Sequence, residues 1–327
     1  MIAVDWGTSS FRAWRLDAAG AVLEQRSAAA GLTACNGAFE SVLAKQLDGW
    51  SDAIVVMAGM VGSRSGWREV PYVAAPAGLD EIAAGMVEID AASIPHKRIF
   101  IVPGIAQKDD ADTPPEVMRG EETQLMGLFE EGFLRQAQDS RKDKLSPNGL
   151  GVSPNGLGMS PNGSGWVCLP GTHSKWVALR NGRIERLRTA MTGELYALLR
   201  SRSLLATLMP AEPADDVDDE AAFARGVDAS AHGGGVANHL FGVRTLGLFD
   251  RLARDAAPSY LSGLLIGHEL RALLPPEPGV VHLVGGAALA RRYERALARL
   301  GVQSRSHGEA LAARGLHRLA HARGLPI

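Results

Sequence analysis

Asp5-Trp6-Gly7-Thr8-Ser9-Ser10 lies between the apolar run 1–4 and Phe11-Arg12-Ala13-Trp14-Arg15-Leu16. It reads as the turn of a β-hairpin. Met1-Ile2-Ala3-Val4 has the composition of a buried strand, Gly7 frees the turn, and Phe11, Ala13 and Trp14 set against Arg12 and Arg15 suit a second strand. Backbone N–H groups and the hydroxyls of Thr8, Ser9 and Ser10 converging in such a turn would make an anion-binding concavity. Asp5 would stand beside it, where a carboxylate next to polyphosphate holds Mg²⁺. The same residues also suit a hairpin turn with no ligand, and the rest of the chain has to decide between the two.

Composition narrows the classes. A chain of 327 residues with 46% hydrophobic content is long enough for two lobes. A net charge of −2 gives no basic footprint for nucleic acid or an anionic membrane, so an anionic substrate must be handled by a local site. No apolar run of about 18 residues offers a membrane span, and a charged leader with a cleavage site is lacking, so a cytoplasmic location is expected. Cys35 and Cys168 have no Cys or His at ligand spacing and read as buried small apolar residues rather than as a disulfide or zinc site.

Outward from the first hairpin, Gly20 marks a turn before a third short strand, 21–23. Phe39, Val42, Leu43 and Leu47 have helical spacing within 36–48, and 53–57 reads as a buried parallel strand. The order is β-β-β-α-β. A polar and aromatic loop, 66–72, follows that strand's carboxyl end, where open α/β sheets bind ligands. A helix over 82–89 and a strand over 98–102 complete a first lobe, 1–117. In the second, 118–327, Arg119-Gly120-Glu121-Glu122 opens a helix with apolar positions Met118, Leu125, Met126, Leu128 and Phe129. Its geometry turns Glu122 inward more than Glu121. Acidic residues in a first helical turn also complement the macrodipole without any chemistry.

Residues 146–166 repeat Ser-Pro-Asn-Gly with a period of seven, and 139–165 is expected to be a flexible surface insertion. Trp166-Val167-Cys168-Leu169, Pro170-Gly171-Thr172-His173-Ser174-Lys175 and Trp176-Val177-Ala178-Leu179 then repeat the opening pattern of strand, Gly-Thr turn and strand. Two such hairpins could hold one polyphosphate from both sides, with Lys175 or His173 supplying positive charge. Helices are expected over 191–208, 221–227, 240–257 and 260–274, a solvated acidic linker over 215–220, and His239 and His268 as satisfied core histidines. A strand, 280–284, runs into Gly285-Gly286-Ala287-Ala288, a turn that lets a ring or phosphate approach backbone without a Cβ clash. A helix through Leu300 and a last one over 309–323 close the chain.

With these elements in order, the chain resembles the actin-like ATPase and sugar kinase superfamily. The first phosphate motif matches 5–9, the second 171–175 and the adenosine motif 285–288. More narrowly it is similar to the 2-dehydro-3-deoxygalactonokinase family, through 4–9, 66–72, 118–125, 169–176, Phe241-Gly242-Val243-Arg244-Thr245-Leu246-Gly247 and 262–270. The resemblance implies an α/β fold of two actin-like, ribonuclease H-like lobes, with mixed sheets flanked by helices and an ATP cleft between them.

It further implies ATP-dependent phosphorylation of the terminal hydroxyl of 2-dehydro-3-deoxy-D-galactonate. Asp5 would hold Mg²⁺ through water, while Gly7, Thr8, Ser9, Gly171, Thr172, His173 and Lys175 would handle phosphates and Gly285, Gly286 and Ala287 the adenosine. Many superfamily kinases start the second phosphate motif with an aspartate, where this chain has Leu169 and Pro170. The base must then come from elsewhere. Gly120-Glu121-Glu122 is similar to the Gly-Xaa-Glu-Glu segment of exopolyphosphatase relatives, which favours Glu122, with Glu121 as the other candidate. Arg12, Arg64, Arg68 and Arg119 are candidates for the substrate carboxylate, which a guanidinium can bind with two hydrogen bonds. An exopolyphosphatase-like phosphohydrolase, a kinase of another sugar acid and a non-catalytic nucleotide-gated protein stay open, as does oligomeric state, a homodimer included.

Overall fold

Strand β1 (Ile2–Trp6) is the hub of a six-stranded sheet, and Ile2, Ala3, Val4 and Trp6 have no exposed surface. The computed structural model describes residues 1–108, 114–129, 163–210, 219–308 and 310–327. The expected insertion at 139–165 lies outside the described residues except for 163–165, as does the acidic run 215–220 except for Asp219 and Glu220. Asp219 caps helix Glu220–Ala229 by accepting the amide of Ala222 at 2.8 Å.

In the first sheet, β2 (Phe11–Leu16) pairs antiparallel with β1 and with β3 (Val22–Ala28), while β4 (Ile54–Ala58) runs parallel to β1. A short ribbon holds β5 (Val73–Ala74), and β6 (Val87–Ile89) closes the first sheet beside β7 (Arg98–Ile101). The order of the six is β3-β2-β1-β4-β7-β6. Strands β8 (Ile105–Gln107) and β9 (Glu116–Met118) complete the ribbon. The second sheet comprises β10 (Gly165–Leu169), β11 (Ser174–Arg180), β12 (Arg183–Ala190), β13 (Val281–Val284) and β14 (Ser304–His307), in the order β12-β11-β10-β13-β14. Here too the first strand of a hairpin series runs parallel to a later strand, β10 to β13. Two mixed sheets built on one plan and flanked by helices give the α/β architecture that was expected.

Apolar alternation accounts for the cores. Phe11, Met57 and Ile99 pack with Ile2 and Val4, and Phe11 meets Trp6 edge-on with ring centroids 5.0 Å apart, a contact worth about 1 kcal/mol beyond area burial. Cys168, Trp176, Val281 and Tyr293 form part of the second core. Both cysteines are buried, as expected.

Two expectations need correction. The stretch 82–89 is not one helix: helix Leu79–Ala84 ends at Gly85, and Val87 and Ile89 pair with Ile101 and Ile99 in the sheet. The division of the chain also differs from 1–117 and 118–327. One compact unit comprises Met1–Ser164, Ala178–Leu187 and Glu309–Ile327, the other Gly165–Val177 and Arg188–Gly308. The reason is that helix Leu311–Ala322 packs on β1, β4 and helix Leu79–Ala84, and a glycine crossing ties helix Glu121–Leu128 to it. Helix Glu121–Leu128 packs backbone to backbone on helix Leu311–Ala322, where a Cβ on Gly127 would overlap the Leu311 carbonyl and one on Gly315 the Thr123 carbonyl. Arg318 secures the pair by donating to the carbonyls of Met126, at 3.1 Å, and Phe129.

Candidate functional site

In the first unit, the Gly7 amide closes the opening turn on the Ser10 carbonyl at 2.9 Å. The carbonyls of Gly7 and Thr8 are occupied by the amides of Leu32 and Thr33, whereas Thr8, Ser9 and Ser10 are exposed. Those hydroxyls are therefore available to a ligand. Asp5 lies directly across from Arg12 in the β1–β2 register, and its Oδ2 accepts from the Arg12 guanidinium at 2.6 Å.

Two glycines bring the acidic helix to Asp5. Gly59, just past β4 at φ 95°, leaves no room for a side chain: a Cβ there would lie 2.7 Å from the Trp6 carbonyl and 3.3 Å from Asp5 Oδ1. Gly120, at φ 113°, sits against it, and its Cβ would lie 3.2 Å from Gly59 Cα. Both backbone conformations favour glycine. The Gly120 amide donates to both oxygens of Glu122, at 2.9 and 2.7 Å. Glu122 is fully buried, as its helical position predicts. Burial, reinforced by the charge of Glu121, pushes its carboxyl up to about 8 against the pull of the amide bonds. Glu121 instead accepts the Arg119 amide at 3.0 Å.

The four candidate arginines separate. Arg12 is committed to Asp5, and Arg64 is 90% exposed, 3.5 Å from Glu69. Arg68 is exposed. Arg119 stacks on Tyr72, 4.3 Å from the ring centroid, and donates to the Val70 carbonyl at 2.8 Å. Its Nε and Nη1 are buried with no hydrogen-bond partner among the described residues.

In the second unit, the turn between β10 and β11 leaves Thr172 and His173 exposed. Helix Thr192–Arg202 starts against it. The Glu194 amide donates to the Thr172 carbonyl at 2.9 Å, the Glu194 and His173 side chains pair, and Gly193 has no space for a Cβ beneath Gly171. Lys175 differs from a phosphate-facing cation: it is 7% exposed and donates to Thr189 Oγ1 at 3.0 Å. Gly285 approaches the same turn, since its Cβ would lie 3.3 Å from the Pro170 carbonyl; Gly286 and Ala287 are exposed. A recess opens beside Gly171, lined by Tyr196, Leu265 and Ile266, with Leu289, Arg292 and Tyr293 contributed by the helix after Gly286.

Tyr196 carried no motif in the sequence, whereas Leu265 and Ile266 lie in the stretch 262–270 that carries the resemblance. Ser262 on the same helix, Ala257–Leu273, lines the recess, while Gly263 serves helix packing, since a Cβ there would overlap the Phe223 carbonyl.

His239 and His268 hydrogen-bond each other at 2.9 Å, half-buried, which agrees with a structural role. Among the described residues no helix is long and apolar enough to cross a membrane, and no group of three or more His, Cys, Asp or Glu could hold a metal ion.

Comparison with known proteins adds the family. The family model described as 2-keto-3-deoxy-galactonokinase matches residues 5–144 and 151–319. The chain is 37% identical over 313 residues to a Rhizobium meliloti protein named "Probable 2-dehydro-3-deoxygalactonokinase DgoK1", covering 93% of this chain and 90% of that one. It is 33% identical over 327 residues to the 2-dehydro-3-deoxygalactonokinase of Escherichia coli, covering 98% and 97%. A crystal structure of a proposed 2-dehydro-3-deoxygalactonokinase from Sinorhizobium meliloti superposes with a TM-score of 0.81 at 35% identity, over 100% of this chain and 99% of that one. The chain belongs to the 2-keto-3-deoxy-galactonokinase family.

Proposed function

We propose that the protein transfers the γ-phosphoryl group of ATP to the terminal hydroxyl of 2-dehydro-3-deoxygalactonate. The observation that carries this reading, beside the family match, is the Gly59–Gly120 contact that sets Glu122 and Asp5 on adjoining elements. In the first unit, the exposed hydroxyls of Thr8 and Ser9 bind phosphate oxygens. A lone aspartate fits Mg²⁺, which takes one or two carboxylates and completes its shell with phosphate oxygens and water. Asp5 would hold it, exchanging its bond to Arg12, and the chemistry supplied there is neutralisation of phosphate charge. In the second unit, the recess beside Gly171 takes the adenosine, and the Gly171–Thr172 and Gly285–Gly286 turns take phosphate and ribose.

Glu122 accepts the proton of the sugar hydroxyl. A carboxyl raised to about 8 is a stronger base than an ordinary one once ionised, and its value lies near working pH. Because Glu122 has no exposed surface here, it acts only after its oxygens leave the Gly120 amide. Arg119 binds the substrate carboxylate, which would satisfy one of the nitrogens, Nε or Nη1, now buried without a partner among the described residues. The test is ADP release from ATP with 2-dehydro-3-deoxygalactonate, its gluconate epimer, glucose or no acceptor. Turnover with the galactonate-derived acid alone is expected. ADP release without acceptor, or equal turnover of glucose, would overturn the assignment.

A further inference from the structure

Helix Ala257–Leu273 carries one acidic residue, Glu269, and buries it to 5% exposure. Its carboxylate is met by neutral donors: Trp176 Nε1 at 2.7 Å on Oε1 and the Tyr293 hydroxyl at 2.7 Å on Oε2. The Thr192 hydroxyl serves it as well. The Ser174 hydroxyl lies 2.7 Å from the Tyr293 oxygen and also serves Glu269 itself. The result is a buried hydrogen-bonded cluster in which Ser174, Thr192, Trp176 and Tyr293 converge on Glu269. A carboxylate buried without a cation is expensive, and an apolar residue would fill a core more cheaply.

The partners of Glu269 come from the elements that frame the recess. Ser174 and Trp176 follow the Gly171–His173 turn on β11, Thr192 opens the helix packed beneath that turn, and Tyr293 lines the recess from the helix that follows Gly285–Gly286. Resting on the nucleotide reading above, we propose that Glu269 is a positioning residue. Through Tyr293 and Ser174 it fixes the Gly171–Thr172 turn for the phosphates of the nucleotide, while the apolar recess holds the adenosine independently of it.

Two full-length variants test this. Glu269→Gln keeps one acceptor oxygen but puts an amide donor where the second was, so one of the donors converging there loses its acceptor. Tyr293→Phe keeps the ring in the recess and removes the bridging hydroxyl. Dissociation constants for ATP and for adenosine are measured by calorimetry, with KM for ATP and for the sugar acid. ATP affinity is expected to fall about tenfold in either variant, the loss that one or two misdirected buried hydrogen bonds produce. Adenosine affinity and the KM of the sugar acid should stay at the wild-type values. Equal weakening of ATP and adenosine would mark a merely structural role and overturn the proposal, as would unchanged ATP binding. Should Glu269→Gln fail to fold, Tyr293→Phe decides alone. Wild-type protein that binds no ATP would instead overturn the nucleotide reading, a failure distinct from that of the positioning role.

Discussion

Replacing Glu122 with glutamine should change how stability depends on pH. The native carboxyl is raised from 4.5 to about 8, chiefly by burial. In the unfolded chain it releases its proton at the ordinary value, while the native state keeps it until about 8. The native state therefore holds the extra proton across this window, and stability falls as pH rises through it. Each pH unit inside the window lowers wild-type stability by about 1.4 kcal/mol, and the whole window is worth at most about 5 kcal/mol. Glutamine mimics the protonated acid, keeps an acceptor for the Gly120 amide and has no proton to lose. Urea unfolding followed by circular dichroism at pH 5, 6, 7 and 7.5 gives both stabilities. The gap between variant and wild type should widen by about 3 kcal/mol from pH 5 to 7.5, in favour of the variant. A gap that stays constant over that range would refute a buried protonated Glu122. The same variant should lose phosphoryl transfer, which ADP release reads directly.

Other substitutions probe neighbouring features. Gly127→Ala puts a methyl group into the Leu311 carbonyl and should destabilise the first unit by about 1–3 kcal/mol, seen as a lowered thermal midpoint. Asp5→Asn should lower kcat by about a hundredfold while thermal stability stays near wild type, since a part-exposed ion pair such as that with Arg12 contributes little. Arg119→Lys should raise KM for the sugar acid about tenfold and leave KM for ATP unchanged, because lysine cannot hold the Val70 carbonyl and the substrate carboxylate at once from one planar group.

Local patterns disclosed much of this. The strand–turn–strand at 2–16 and its counterpart at 165–180 were legible because apolar strands and Gly-Thr turns are written in adjacent residues. The inward direction of Glu122 followed from helical geometry alone. What stayed hidden depends on contacts between distant segments. Nothing in 311–322 signals that this helix packs on β1 and β4, so its placement in the first unit could not be read. Val87 and Ile89 fit either a helix or a strand until Ile99 and Ile101 select the strand. Lys175 looked like a phosphate ligand in a turn, but its partner Thr189 lies on another strand.

The glycine crossing also sets a timetable for synthesis. Arg318 bonds to Met126 across a separation of 192 residues. At about 5–20 residues per second, the helix bearing Glu122 waits about 10–40 s on the ribosome before its packing partner is translated. The first unit thus begins earliest and is completed last, and its unpaired apolar helix face is a natural client for a chaperone during that interval.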